Sequence, residues 1–214
     1  MAATQLGLYN EALRLIGERR LASLSENREP RRVLDDIWND GARDYCLEQG
    51  QWNFAMRAVE IEASTTTVPE FGYINAFDKP NDHIRTAGVC EDEYFTTPLV
   101  RMVEEVGFWL ADIDPIYVRY ISKDSSYGFD LDRWPATFTK YVAAFLASEA
   151  VFTLTQSAEK QNYILQIMMR RLQDARSKDA MADPTSFMPQ GNWSASRRGS
   201  RSRSDRGNRG NLIG

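Results

Sequence analysis

The spacing of apolar residues changes twice along the chain, and this change limits the folds that the chain can adopt. Near the N-terminus, Leu6, Tyr9 and Leu13 recur at helical spacing, which predicts a helix over residues 5–18. A second helix is predicted over residues 29–50, because the proline near its start is tolerated in a first helical turn. The chain therefore begins with two amphipathic helices, each with a face to bury.

An alternating pattern replaces the helical spacing in the middle of the chain. Trp52, Phe54 and Met56 alternate with smaller or polar residues, which indicates a strand that starts at Trp52. Further strands are predicted at 83–89, 99–113 and 116–121, with turn signals at Gly107 and Asp114–Pro115.

Helical spacing returns after Asp132. Two helices are predicted, over residues 134–154 and 158–181, with a break between them. Small residues such as Ala143 and Ala147 recur in the first of them and allow a neighbouring helix to approach closely. The order of elements is helix, helix, strands, helix and helix.

This order predicts an α+β protein. The N- and C-terminal helices are expected to form one helical bundle, with an inserted antiparallel β domain and an extended C-terminal arm. The predicted boundaries are 1–51 and 133–182 for the bundle, 52–132 for the β-rich insertion and 183–214 for the arm. Trp52 and Phe54 lie where the two patterns meet, so we expect them to form the seam between bundle and sheet, with at least one of them buried.

Charge is distributed unevenly along the chain. The formal net charge is -4, but residues 191–214 hold six arginines against one aspartate, or +5, so residues 1–190 carry -9. An acidic body with a basic tail suggests two different partners or two different roles.

The chain offers few residues for catalysis or for binding a metal ion. One histidine and two separated cysteines, Cys46 and Cys90, are too few for a structural zinc site, and no metal or cofactor is expected. The cysteines fit reduced thiols, although the sequence also permits a single bridge between them. No GxSxG or GxxxxGK[ST] motif is present.

A few titratable residues remain as candidates for an enzymatic site. The pairs Glu104–Glu105 and Asp112/Asp114 are of the kind that a glycosidase uses, and His83 follows Asp82. Acidic pairs are far more often solvated strand ends or turns, so we expect no catalytic residues. No membrane span is expected, since the chain has no apolar run of about 18 residues. The N-terminus has no basic segment before a long apolar core, so no signal peptide is expected either.

The arginine-rich tail has three interpretations. It can be a nucleic-acid-binding arm, a solubilising terminus, or a segment that becomes ordered on a partner protein. Apolar residues at both ends of the basic run favour the third, because they can anchor a segment whose arginines pair with carboxylates. The candidate partner-binding residues are Trp193, Arg197, Arg198, Arg201, Arg203, Arg206, Arg209, Leu212 and Ile213.

Several segments resemble one known protein family. The most specific are ALRLIGE followed by LASLSE, then EPRRVLDDIWN and QWNFAMR, and the helical stretch that begins WPATFTKYVAAFLASEAVFTLTQ. Together they resemble the tail tubular protein A family, the head-to-tail adaptors of short-tailed bacteriophages. The resemblance covers roughly residues 5–182.

The resemblance implies a place and a set of partners. Members of that family form a dodecameric ring between the portal protein and the tail nozzle, a tail tubular protein B-like protein. Double-stranded DNA passes through the ring without specific binding. The implied location is the neck of the virion, after assembly in the host cytoplasm. The main alternative is a nucleic-acid-binding protein that acts through its basic C-terminal arm, and a virion-borne cell-wall hydrolase is a third possibility.

Overall fold

The structure, a computed structural model, describes residues 3–182 and confirms the α+β class. Helices from both ends of this range pack together, and two three-stranded antiparallel sheets lie between them in the chain. The predicted arm, residues 183–214, lies outside the described residues.

The helices follow the apolar periodicity and the capping residues. Thr4 caps the first helix by accepting a hydrogen bond from the Gly7 amide, and Gly17 ends it in a left-handed conformation. Gln156 and Ser157 separate the last two helices, where Gln156 is left-handed and the Ser157 side chain caps the next helix. The helices are α1 (Gln5–Ile16), α2 (Glu29–Ile37), α3 (Arg43–Glu48), α4 (Ala136–Thr155) and α5 (Ala158–Ala180).

The second predicted helix is not continuous, so the prediction of one helix over residues 29–50 was wrong. A kink within Trp38–Ala42 separates α2 from α3, because Asp40 and Gly41 do not have helical backbone angles. Gly41 has a φ of 88°, which a residue with a side chain rarely adopts. The kink changes the direction of the chain and aims α3 at the β region.

Helix α4 lies at the centre of the helical core. Its residues Tyr141, Val142, Ala143 and Ala144 are consecutive and all buried, so every face of the helix is covered at this level. Helices α1 and α2 cover it on one side and α5 on another. Alanines at these positions let the neighbouring backbones approach, as their spacing in the sequence suggested.

The strands form two separate sheets. The strands are β1 (Met56–Ile61), β2 (Asn75–Asp78), β3 (His83–Cys90), β4 (Met102–Glu105), β5 (Phe108–Ala111) and β6 (Ile116–Ser122). In the first sheet the order is β1–β6–β3, and in the second it is β2–β5–β4, with every neighbouring pair antiparallel.

Two predictions about the strands need correction. The first strand begins at Met56 and not at Trp52, because Asn53–Ala55 form a 3-10 turn. Trp52 and Phe54 consequently lie close together, with ring centroids 6.3 Å apart. The sequence reasoning also missed β2 and treated residues 99–113 as one strand, whereas the turn at Gly107 divides this stretch into the hairpin of β4 and β5.

The apolar side chains form two clusters. The larger one fills the space between the helices and includes Ile121 from β6. The smaller one lies between the sheets and is built around Phe77, Trp109 and Tyr120. Both cysteines are buried free thiols, so the bridge that the sequence permitted is not formed.

Candidate functional site

Trp52 lies where the helical core meets the first sheet. Its side chain is 1% exposed, and its ring centroid is 4.8 Å from that of Phe138 in α4. The indole Nε1 donates a hydrogen bond to the Cys46 carbonyl oxygen at 3.2 Å, near the end of α3. This one side chain therefore joins α3, α4 and the entry to β1.

A second contact holds the same junction from the other side. The Asn53 amide donates to the carboxylate of Asp179 near the end of α5, at 3.1 Å for the nearer oxygen, and the Asn53 side chain donates to the Asp179 carbonyl oxygen at 3.1 Å. Phe54 is half-buried, and its ring centroid lies 4.8 Å from that of Phe138. The chain thus enters the β region from a point tied to both C-terminal helices.

A hydrogen-bonded cluster centred on Thr86 connects the two sheets. The Thr86 Oγ1 lies 3.0 Å from each of Nε1 of Trp109, Nε2 of His83 and Oε1 of Glu104. Lys79 adds an ion pair to the same Glu104 oxygen at 2.8 Å. Since Thr86 and His83 belong to the first sheet and Trp109 and Glu104 to the second, the cluster fixes one sheet against the other.

The donors and acceptors of this cluster can be assigned from its chemistry. An indole only donates and an ionised carboxylate only accepts, so Trp109 donates to Thr86 and Thr86 donates to Glu104. The remaining lone pair of the hydroxyl then accepts from His83, which requires the proton of that imidazole on Nε2. All bonding capacity of the Thr86 hydroxyl is used.

Electrostatics favour the neutral form of His83. Burial lowers the pKa of His83, and the nearby Lys79 ammonium lowers it further, while Glu104 and Asp82 act in the opposite sense. Burial alone would raise the pKa of Glu104, but its hydrogen bonds from Lys79 and Thr86 lower it. The cluster thus holds a neutral imidazole beside an ionised carboxylate.

Asp82 organises a neighbouring set of polar side chains. Its carboxylate accepts hydrogen bonds from Arg57 at 3.0 Å, from Tyr120 at 3.1 Å and from Ser122 at 2.5 Å. Burial alone would raise the pKa of Asp82, but these bonds outweigh it and lower the pKa. Burial and the adjacent Asp82 charge raise the pKa of Tyr120 to about 12. This set ties β1, β3 and β6 together.

The candidate catalytic carboxylates do not converge on one point. Glu104 and Glu105 are neighbours in β4 and so point to opposite faces of the sheet. Asp112 pairs with Arg101 at 3.0 Å, and Asp114 accepts a hydrogen bond from the Ala63 amide at 3.0 Å. Each of the two aspartates holds a loop in place.

An open cleft of about 550 Å³ lies between α3 and the β region, next to the Thr86 cluster. Its lining includes Glu48, Arg85, Thr86 and Glu104. Arg85 crosses it and donates to the Glu48 carbonyl oxygen at 3.2 Å. The Thr86 hydroxyl at its edge resembles a nucleophile beside a histidine, but His83 donates to this oxygen and cannot take its proton as a base.

No protein-family model matches the chain, and no curated protein matches it.

The remaining candidate residues can be placed only in part. The arm residues from Trp193 to Ile213 lie outside the described residues, whereas Trp52 and Phe54 lie at the junction described above. Within residues 3–182, no three metal-ligating side chains converge, and no helix is long and apolar enough to cross a membrane. The sequence singled out His83 and Glu104 but missed Thr86, whose importance depends on partners from three other segments.

Proposed function

We propose that the protein is a head-to-tail adaptor of a tailed bacteriophage, a subunit of a ring that joins the portal protein to the tail nozzle. The observation that carries this proposal is the arrangement of the chain. Helices α1 and α5 contribute to the same apolar core as α4, and an antiparallel β region lies between α1 and α4 in the sequence. This is the arrangement that the resemblance to the tail tubular protein A family implies.

The charge of the chain supports the same role. Residues 1–190 carry a net charge of -9, so a twelvefold ring would present a strongly acidic wall. DNA phosphates find few cations on such a wall and are repelled by it, which favours passage over retention. The location that follows from the proposal is the neck of the virion.

We propose that residues 183–214 attach the subunit to its portal. The six arginines can pair with acidic side chains on the portal, while Trp193, Leu212 and Ile213 supply apolar contacts. At roughly 3.3 Å per residue, the 24 residues of 191–214 span about 80 Å when fully extended. That reach is sufficient to cross a neighbouring subunit.

Native mass spectrometry of the protein mixed with its portal ring tests the proposal. We expect twelve subunits for each portal ring, and a truncated chain that lacks residues 191–214 should bind with at least about ten-fold lower affinity. One subunit for each portal, or no binding by the full chain, would contradict the adaptor function. Full affinity of the truncated chain would contradict only the role of the arm.

We also propose that the protein acts without catalysis. The carboxylates of Glu104, Asp112 and Asp114 are engaged with the protein itself, and Glu105 points to the opposite face of the sheet from Glu104. The Thr86 hydroxyl has no free base beside it. Degradation of peptidoglycan by the purified protein, if Glu104→Gln abolished it, would require this part of the proposal to be abandoned.

One observation favours the nucleic-acid-binding alternative. Although residues 1–190 are acidic as a whole, Arg19 and Arg20 are exposed side by side on the loop between α1 and α2. A basic surface on the folded part is expected of a nucleic-acid-binding protein. Duplex DNA binding that is lost in Arg19→Glu/Arg20→Glu, and that weakens steeply with salt, would favour this function over the adaptor.

A further inference from the structure

We propose that an apolar tip with an acidic rim, at one end of the second sheet, binds the arginine-bearing loop between α1 and α2 of a second copy of this chain. The tip comprises Phe71, Ile74 and Val100, and the loop comprises residues 17–28. The inference rests on the proposed ring and names the contact that joins neighbouring subunits.

The tip is defined by the register of the second sheet. Asn75, Ala111 and Met102 are paired across it, so the segments that precede β2 and β4 emerge at the same end. That end is opposite to the one that carries the ion pair of Lys79 and Glu104.

Arg101 holds the two emerging segments together. Its guanidinium donates to the Gly72 carbonyl oxygen at 3.3 Å, pairs with Asp112 at 3.0 Å and lies over the ring of Tyr73. Ile74 is fixed as well, because its amide donates to Asp112 at 3.2 Å. These hydrogen bonds and the ion pair therefore hold the backbone of the tip in place.

The apolar side chains around Arg101 project into solvent. Phe71 is 85% exposed, Ile74 67% and Val100 93%. Single exposed apolar residues are common, but a group of large ones on adjoining loops marks a surface that is covered by a partner.

The rim of the tip is negatively charged. Glu70 adjoins Phe71, while Asp114 and Glu62 lie at the neighbouring end of β1, where the Ala63 amide binds the Asp114 carboxylate. The charge of Asp112 is offset by Arg101. The partner therefore needs an apolar centre with cationic side chains beside it.

The loop between α1 and α2 has this chemistry. Arg28 donates to the carbonyl oxygens of both Arg19 and Arg20, at 3.4 and 3.3 Å, which folds the loop around its guanidinium. The Glu26 carboxylate accepts a hydrogen bond from the Ala22 amide and holds the loop from within. Within residues 3–182 the side chains of Arg19 and Arg20 are exposed and form no ion pair, and Leu24 in the same loop is 38% exposed.

The tip and the loop lie on different parts of the surface. The loop precedes α2, whereas the β region is contacted by the far end of α3, where Arg85 binds the Glu48 carbonyl oxygen. A contact between two unlike surfaces is heterologous, and its repetition produces a closed ring or a filament. A second copy fits the tip better than an unrelated protein does, because the complementary surface is present on every subunit.

Charge reversal on each surface provides the test. Glu70→Arg reverses the charge beside Phe71, while Glu62 and Asp114 keep theirs, and Arg20→Glu reverses one of the two exposed charges of the loop. Self-association is measured by analytical ultracentrifugation of the free protein at low salt and by native mass spectrometry on portal rings. We expect each variant alone to associate at least about five-fold more weakly than the unchanged protein.

An equimolar mixture of the two variants distinguishes this contact from general damage. The reversed charge at position 70 of one variant then meets the reversed charge at position 20 of the other, and each unaltered tip meets an unaltered loop. Association should therefore return to within about three-fold of the original. Glu159→Arg, on the exposed N-terminal turn of α5, is the matched control and should associate normally. Phe71→Ser should weaken association and not be rescued by mixing.

Several results would overturn the proposal. If both variants formed rings as stable as those of the unchanged protein, the contact would be wrong, although the ring itself would stand. If the unchanged protein formed no ring on the portal and did not self-associate at about 1 mM, both the contact and the adaptor function would fail. If Arg20→Glu reduced binding of duplex DNA without affecting association, the loop would be a nucleic-acid surface instead.

Discussion

Truncation of Trp52 should be among the most destabilising changes in the helical core. The side chain is 1% exposed and packs on Phe138, with Tyr141 also within 6.5 Å between ring centroids. Replacing a buried tryptophan by alanine costs roughly 3–5 kcal/mol, because the transfer free energy of the ring is lost and a cavity remains. Trp52→Ala also removes the hydrogen bond to the Cys46 carbonyl oxygen, whose net contribution is about 1 kcal/mol.

The range of about 3–5 kcal/mol for a buried aromatic side chain already includes such a lost hydrogen bond at its upper end. The expected loss in the free energy of unfolding is therefore about 4 kcal/mol. For a folded region of this size, each kcal/mol lowers the melting temperature by about 2–4 °C, so Tm should fall by about 8–16 °C. Differential scanning calorimetry and urea unfolding followed by far-UV circular dichroism measure both quantities.

Two companion variants separate packing from hydrogen bonding. Trp52→Phe keeps an aromatic ring but loses the indole donor and some volume, so it should cost about 1–2 kcal/mol. Phe54→Ala should cost less than Trp52→Ala, because Phe54 is only half-buried. An unchanged Tm in Trp52→Ala would show that this side chain does not hold the junction between helices and sheet.

Two further predictions concern the cluster between the sheets. Thr86→Val keeps the shape of the side chain but leaves Trp109 Nε1 and His83 Nε2 without an acceptor. It should reduce the free energy of unfolding, measured by urea titration, by about 1–3 kcal/mol. The exposed control Thr66→Val should have almost no effect in the same titration. The pKa of His83 is lower in the folded than in the unfolded protein, so the folded state binds fewer protons and stability should fall as the pH drops below about 6.5. His83→Gln should reduce this slope between about pH 7 and 5, above the range in which Asp82 and Glu104 titrate, and an identical slope in the variant would refute the assignment.

The helices could be predicted largely because their signals are local. Gly17 and the pair Gln156–Ser157 end helices at the predicted places, since their effects act on the adjoining backbone. The break at Gly41 was missed because a single glycine within an apolar periodicity is often tolerated. The interruption becomes clear only from the backbone angles.

The sheet region depended more on contacts between distant residues. Trp52 and Phe54 have the alternation of a strand, but the helical core draws both side chains to one side and leaves a 3-10 turn between them. Strand β2 has four residues, too few for a periodic signal, and it is set by its pairing with β5. The residues next to Thr86 in the sequence do not distinguish it from any other threonine. Its partners Glu104 and Trp109 are 18 and 23 residues away along the chain.

The pairing of β1 with β6 has a consequence for how such a chain can be altered by recombination. Met56 and Ile121 are direct partners in the first sheet, so the polypeptide leaves the helices and returns to them at nearly the same point. The 66 residues from Met56 to Ile121 therefore form a cassette whose two ends meet. A cassette of this kind can be shortened, lengthened or exchanged for another hairpin-based unit without moving the helical scaffold that carries it. The condition is that the packing of Met56, Ile84 and Ile121 on that scaffold and the bond from Arg85 to Glu48 are kept.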